Sequence, residues 1–267
     1  MDFRRIEWIF LVAFIALDIF LGWSMTQSQR VYLTATATNE SSQTAADIKH
    51  DSITLPKLSD KTSDASYVAG QNNSALSQNY SKLSKTNLRL SLSTDVNQVL
   101  QARLTTPLQL GKKNIVKQLE AYVHSSGNVL LGSRYSYMKD LGSDTRYVFV
   151  EKVNGHTMID DRAMLTLTVK DNALTAYQQT YIDRVQTMDN EQTIMSARDA
   201  VYTLYRANEI VDNSRVLWVR KGYTWLLTAK GSQVYTPAWF IGVESKSSKS
   251  VSIKRVNAVT QTVMKAH

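Results

Sequence analysis

Asp160 and Asp161 are the one adjacent pair of acids in the chain. Paired carboxylates can share a proton and divide acid and base roles between them. Neighbours on a strand point to opposite faces, however, so this pair is expected to flank a solvated turn between Ile159 and Met164. Ser136-Tyr137-Met138-Lys139 has the Ser-x-x-Lys spacing of penicillin-interacting enzymes, in which the serine is the nucleophile. The companion Ser-Asp-Asn and Lys-Thr-Gly strings are missing, and the four residues fall in a strand-like run where that nucleophile would open a helix. Of the four histidines, His50, His124, His156 and His267, no two have metal-ligand spacing. The absence of cysteine removes disulfides, thiol nucleophiles, iron–sulfur clusters and cysteine zinc sites together. Gly-x-Ser-x-Gly, the phosphate-binding loop and Gly-x-Gly-x-x-Gly are also missing. Trp218, Trp225 and Trp239 could line a groove, but at alternating strand positions such rings usually pack. No residue is therefore assigned a catalytic, cofactor-binding or metal-binding role.

Asp18 offers different chemistry. It is the one ionisable side chain within Trp8 to Met25, WIFLVAFIALDIFLGWSM. Eighteen residues of helix extend about 27 Å, most of a hydrocarbon core of about 30 Å. Trp8 and Trp23 stand near the ends, where indole rings favour the interface. Arg4 and Arg5 precede the segment and predict a cytoplasmic N-terminus. Residues 23–30 offer no small-residue cleavage site, so an uncleaved anchor is expected rather than a signal peptide. A carboxyl at mid-bilayer costs about 2.5–3.5 kcal/mol on insertion scales and therefore usually faces protein. Phe14, Asp18, Leu21 and Gly22 share a helical face. Gly22 would admit a second helix closely, so these four are the expected partner contact within the membrane.

The elements that follow read as an α+β plan. Residues 1–7 form a cytoplasmic tail, 8–25 the transmembrane helix, and 26–85 a polar stalk. The stalk is rich in Ser, Thr, Asn, Gln and Asp, with a small ordered element at Ile53-Thr54-Leu55-Pro56. Alternation of Leu88, Leu90 and Leu92 opens a first extracytoplasmic module, 86–190. Its helix covers 114–123, followed by strand-like runs at 128–138, 146–153, 157–169 and 173–185. Asn154-Gly155 marks a hairpin turn. A second module, 191–267, opens with the capping box Ser196-Ala-Arg-Asp199 and a helix to about Asn208. Strands follow at 215–220, 223–228, 234–243 and 251–264. Each module is a helix packed on an antiparallel sheet. The 31 Lys and Arg against 23 Asp and Glu give a net charge of +8. The basic residues are dispersed along the chain, which argues against a nucleic-acid partner.

The opening MDFRRIEWIFLVAFIALDIFLGW, with its string Leu17, Asp18, Ile19, Phe20, Leu21, resembles the start of the YycI (WalI) family of low-GC Gram-positive bacteria. The resemblance continues through Asn154-Gly155 to Asp160, the helix SARDAVYTLYRANEI at 196–210 and Lys221-Gly222-Tyr223. Pro237-Ala238-Trp239 and Val256-Asn257-Ala258 complete it. It implies a membrane-anchored extracytoplasmic regulator of the WalK–WalR (YycG–YycF) two-component system, which governs cell-wall metabolism. Such a protein would act with the related YycH and contact the sensor histidine kinase WalK, largely through transmembrane helices. The two modules would resemble those of YycH and, distantly, PepSY domains. The resemblance carries over no catalytic residue and no cofactor. Two other functions are expected to compete with it: an envelope enzyme acting on wall polymer through Asp160, Asp161 or Ser136, and a PepSY-like protease-inhibitor module.

Overall fold

The structure is a computed structural model that describes residues 14, 17, 18, 40–71, 75–83, 86–93, 98–229 and 231–265, with Asn190 known by backbone alone. The chain divides into two compact units, one ending at Ile53 and one running from Thr54. In the first, residues 40–50 form a helix, α1. Gln43 donates to Asp47 at 3.0 Å, and the Thr44 hydroxyl donates to the Glu40 carbonyl at 2.8 Å. The first of these, a side-chain pair four residues apart, supports a helix whose composition is otherwise polar. Ser52 at φ 59° ends it, with the Ile53 amide returning to the Ile48 carbonyl at 3.0 Å. Phe14, Leu17 and Asp18 are helical and exposed. Among the described residues no helix is long and apolar enough to cross a membrane. The span expected to do so, 8–25, lies outside the described residues except at those three positions, and Leu21 and Gly22 lie outside them entirely.

The second unit contains, in chain order, β1 (Ser63–Gln71), α2 (Ala75–Asn79), β2 (Leu88–Leu92), β3 (Leu100–Gln109), α3 (Ile115–His124) and β4 (Tyr135–Tyr137). Next come β5 (Arg146–Val153), β6 (His156–Met158), β7 (Met164–Lys170), β8 (Ala173–Gln179), β9 (Asp183–Ile194) and α4 (Ala197–Arg206). The long hairpin β10 (Ser214–Ala229) and β11 (Ser232–Ser245) is followed by β12 (Val251–Asn257) and β13 (Val263–Met264). The strands join in one sheet ordered β13-β12-β11-β10-β6-β5-β7-β8-β3-β2, with β1 bridging β11 to β9 and β4 beside β5. The fold is mixed α+β and dominated by its sheet.

Local signals account for several elements. Asn154 and Gly155 have φ of 49° and 80°, as a two-residue hairpin turn of that type demands, and Val153 pairs with His156 across it. Ser196 accepts from the Asp199 amide at 3.1 Å and opens α4. In this box the Asp199 carboxylate takes the Ser196 hydroxyl proton at 2.6 Å instead of the backbone amide. Helix α3 buries Leu119 and Val123 against a core containing Leu100, Phe149, Leu165 and Leu174, each large aliphatic group contributing about 1.5–3 kcal/mol. Helix α4 buries Ala200, Val201 and Leu204. The Trp239 indole ties β11 to the start of this helix by donating to the Met195 carbonyl at 2.9 Å.

Four features depart from the sequence expectation. The polar stretch assigned to a stalk supplies α1, β1 and α2, so order begins well before residue 86. Strand β1 buries only Ala65, Val68 and Gly70 but pairs on both edges, so backbone hydrogen bonds carry it. The expected module boundary at 190/191 falls inside β9, and through β1 that strand joins the sheet of the C-terminal half. The two helix-on-sheet pairs therefore share one continuous sheet. Residues 128–134 are turns and a short 3-10 segment, leaving a strand of only Tyr135–Tyr137. A Cβ on Gly132 would fall 1.8 Å from the Val123 carbonyl oxygen, so this stretch packs tightly under the end of α3. Finally, 215–228 is one continuous strand that absorbs irregularity as register shifts at Val216/Trp218 and Trp225/Leu227.

Candidate functional site

The two halves of the sheet meet where β6 touches β10, through the single parallel pair Met158 and Tyr223. The Ile159 amide donates to the Tyr223 carbonyl at 2.8 Å. Ile159 then lies so close to β10 that a Cβ at Gly222 would meet its Cδ1 at 2.6 Å. That approach explains the glycine in Lys221-Gly222-Tyr223. The chain turns directly after Ile159, and Asp160 is the residue that fastens the turn.

Asp160 is buried and accepts four hydrogen bonds. Its Oδ1 takes the Arg162 amide and an Arg162 guanidinium N–H, both at 3.1 Å. Its Oδ2 takes the Thr224 hydroxyl at 2.9 Å and the Trp225 amide at 2.8 Å. The Arg162 guanidinium stacks 4.4 Å from the centroid of the Trp225 ring, a favourable cation–π placement. Thr180 closes the turn from the other side, donating to the Asp161 carbonyl at 2.6 Å and accepting from the Met164 amide at 2.9 Å. A cavity of about 260 Å³ opens beside this knot, lined by Arg146, Asp161, Arg162 and Arg255 over an apolar floor that includes Ile159 and Phe240. A larger recess of about 560 Å³ continues from it and shares Arg146, Asp161 and Met164.

The expected turn at Asp160-Asp161 is present, but its chemistry differs from a proton-sharing pair. Asp160 is buried and saturated, whereas Asp161 is exposed. Asp160 therefore works as a structural acceptor. Ser136 lies in β4 opposite Val150, while Lys139 begins a separate 3-10 segment, so the Ser-x-x-Lys residues do not share a helix. Among the described residues no group of acids and histidines is placed to hold a metal ion. His156 is half-buried: it meets Thr187 at 2.9 Å and packs edge-on to Tyr223 at 4.7 Å. Burial, with Lys221 assisting, lowers its pKa. Trp218 packs over Gly242 and Trp239 holds α4, as packing residues should; Trp225 alone borders the Asp160 site.

Sequence reasoning missed Glu151. It sits inside the apolar run YVFVEKV of β5 and is fully buried. Its Oε2 accepts the Ile182 amide at 3.0 Å, while Oε1 has no partner among the described residues. Burial is the main cause that raises its pKa to about 8; Ile182 and Arg134 oppose the shift and Asp183 adds to it. A charged residue at a strand position flanked by Phe149, Val150 and Val153 was the available signal. Around it, Gln179 donates to the Leu130 carbonyl at 2.6 Å and to the Tyr135 hydroxyl at 3.2 Å, and that hydroxyl donates to the Thr180 carbonyl.

The remaining strings of the sequence also have structural explanations. Asn257 is buried, and its side-chain oxygen accepts from the Val259 and Thr260 amides at 2.9 and 3.1 Å, shaping the turn to β13. The Ala258 amide returns to the Pro237 carbonyl at 3.0 Å.

No curated protein sequence matches the chain. Among solved structures, an uncharacterized protein from Eubacterium rectale is 10% identical, covering 81% of this chain and 92% of its own, with a TM-score of 0.49. The C-terminal domain of YpeB from Bacillus megaterium is 12% identical, covering 68% of this chain and 90% of its own, with a TM-score of 0.35. The family model described as YycI protein matches residues 34–259, most of the sequence. The chain thus belongs to the YycI family, whose members are regulatory accessory proteins of the WalK two-component system.

Proposed function

We propose that this protein is a single-pass membrane regulator that binds the sensor histidine kinase WalK and modulates it together with a YycH-like protein, affecting cell-wall metabolism. Residues 8–25 form the uncleaved transmembrane helix, the N-terminus is cytoplasmic, and the unit from Thr54 lies outside the cytoplasm. Phe14, Asp18, Leu21 and Gly22 face the partner within the membrane. The family match over 34–259 carries this reading. The four hydrogen bonds that Asp160 accepts give it a structural role in place of the acid–base role the wall-polymer reading would ask of it. An anchor biases a kinase only by packing differently against its two signalling states, and a carboxyl facing protein supplies such a difference.

The test is Asp18→Leu in the full chain at unchanged expression. Co-purification of the kinase is expected to fall severalfold. Undiminished association removes Asp18 from the contact. Mature protein beginning beyond residue 30 and free of the membrane would remove the anchor itself.

A further inference from the structure

We propose that the cavity beside Asp160 binds a small molecule bearing an oxyanion, a carboxylate or a phosphate, on a short apolar body. The contact proposed for Asp18 plays no part in this, and neither reading depends on the other.

The cavity combines two surfaces. Its floor is apolar, from Leu141, Ile159 and Phe240, all buried. Its rim carries three guanidinium groups brought together from distant parts of the chain, Arg146 on β5, Arg162 in the turn and Arg255 on β12. Arg162 is fixed in place by Asp160 and Trp225, and its Nε is buried without a partner among the described residues. Among the described residues the Arg146 guanidinium donates to the Leu141 carbonyl alone, at 3.4 Å. Arg255 donates to the Thr224 hydroxyl at 3.4 Å and to the Lys265 carbonyl at 3.2 Å. A guanidinium has five N–H donors in a planar fork, so most of the donors on these two residues are unspent. Among the described residues neither has a carboxylate within 4.0 Å.

The charges decide which ligand fits. Asp160 neutralises Arg162, and Asp161, though not paired with either of the other two arginines, adds a second negative charge to the lining. One positive charge remains at the mouth of an apolar pocket. Planar forks of this kind recognise carboxylate and phosphate oxygens in pairs. The volume of about 260 Å³ is slightly below the range of about 300–1,000 Å³ usual for ligand pockets. A dipeptide-sized body therefore fits better than a polymer segment. Asp161 repels such a ligand, so removing its charge strengthens binding while removing an arginine weakens it.

The experiment uses the full chain in a non-ionic detergent and titration calorimetry with three probes: N-acetyl-alanyl-alanine, its C-terminal amide, and butyl phosphate. Saturable binding of the free acid, of the phosphate or of both is expected, and none of the amide. The acid and phosphate arms distinguish the two oxyanions. Arg146→Gln and Arg255→Gln are each expected to weaken binding about fivefold or more, as the loss of a charge-assisted hydrogen bond does. Asp161→Asn is expected to tighten it about two- to threefold, a gain that misfolding cannot produce. Saturable binding of the amide as tight as that of the acid, unchanged affinity in all three variants, or no saturable binding of either oxyanion by ~10 mM, where affinity falls below about 3 kcal/mol, overturns the proposal.

Discussion

Asp160 and Glu151 are both carboxyl groups withdrawn from solvent, and the fold treats them in opposite ways. Asp160 receives two amides, a hydroxyl and a guanidinium, so both oxygens are satisfied. Glu151 receives one amide, and its second oxygen faces no donor. A buried charge is tolerable only when it is paired and hydrogen-bonded; otherwise the group keeps its proton. Asp160 serves as a rivet between the turn and β10. Glu151 is held protonated well above the ordinary range, with a pKa of about 8. Burial alone therefore does not determine what an acid does, since the supply of donors decides it.

The sharpest way to break this contrast is Asp160→Ala. It strands the Thr224 hydroxyl, the Trp225 amide and the Arg162 guanidinium in one step. Removing one partner of a buried ion pair costs about 3–5 kcal/mol, and urea unfolding should register that loss. A cost below about 1 kcal/mol, the level of an exposed pair, would show that Asp160 is not the rivet.

Glu151 predicts a pH dependence of the opposite kind to a salt-bridged acid. Its pKa is about 8 in the folded protein against 4.5 for the ordinary group. The folded state binds the proton more tightly, so this contribution to stability is fully present below pH 4.5. It is lost progressively as pH rises through the window to about 8. Glu151→Gln removes the ionisation and is expected to flatten that decline, which amounts to a few kcal/mol. Thermal melts of both proteins from pH 5 to pH 9 check it, and parallel pH profiles would refute the assignment.

Arg162→Lys sharpens the comparison further, with the smallest expected effect. Lysine keeps the charge beside Asp160 but loses the planar fork and the stack on Trp225. A loss of about 1–2 kcal/mol is expected, measurable as a shifted urea midpoint. A fall as large as that of Asp160→Ala would mean that the guanidinium, and not the backbone amides, holds the carboxylate.

Other features were legible in the sequence to different degrees. Helices α3 and α4 stand where their apolar spacing predicts them, because each has a continuous buried stripe. The Asn154-Gly155 turn and the Ser196 cap are specified by residues within three positions of one another. Strand β1, SDASYVAGQ, was not legible. Its composition resembles that of a linker, and it is ordered by ladders to β9 and β11. Of the candidate site, the turn at Asp160 and Asp161 was foreseen, whereas the role of Asp160 and the arginine-rimmed cavity were not. The in-membrane face at Phe14, Asp18, Leu21 and Gly22 remains a reading of the sequence.

The amino-acid sequence alone determined the turns, caps, helix stripes and family of this protein, because those signals are hydrogen bonds and spacings a few residues long. Only the tertiary structure decided that one sheet unites both halves, that Asp160 is a fastener and that Glu151 is kept protonated. Apart from Arg162, two residues from Asp160, the donors to these two acids lie 31 to 65 residues away along the chain. Nothing local to an acid states whether folding will bring it donors or leave it without them.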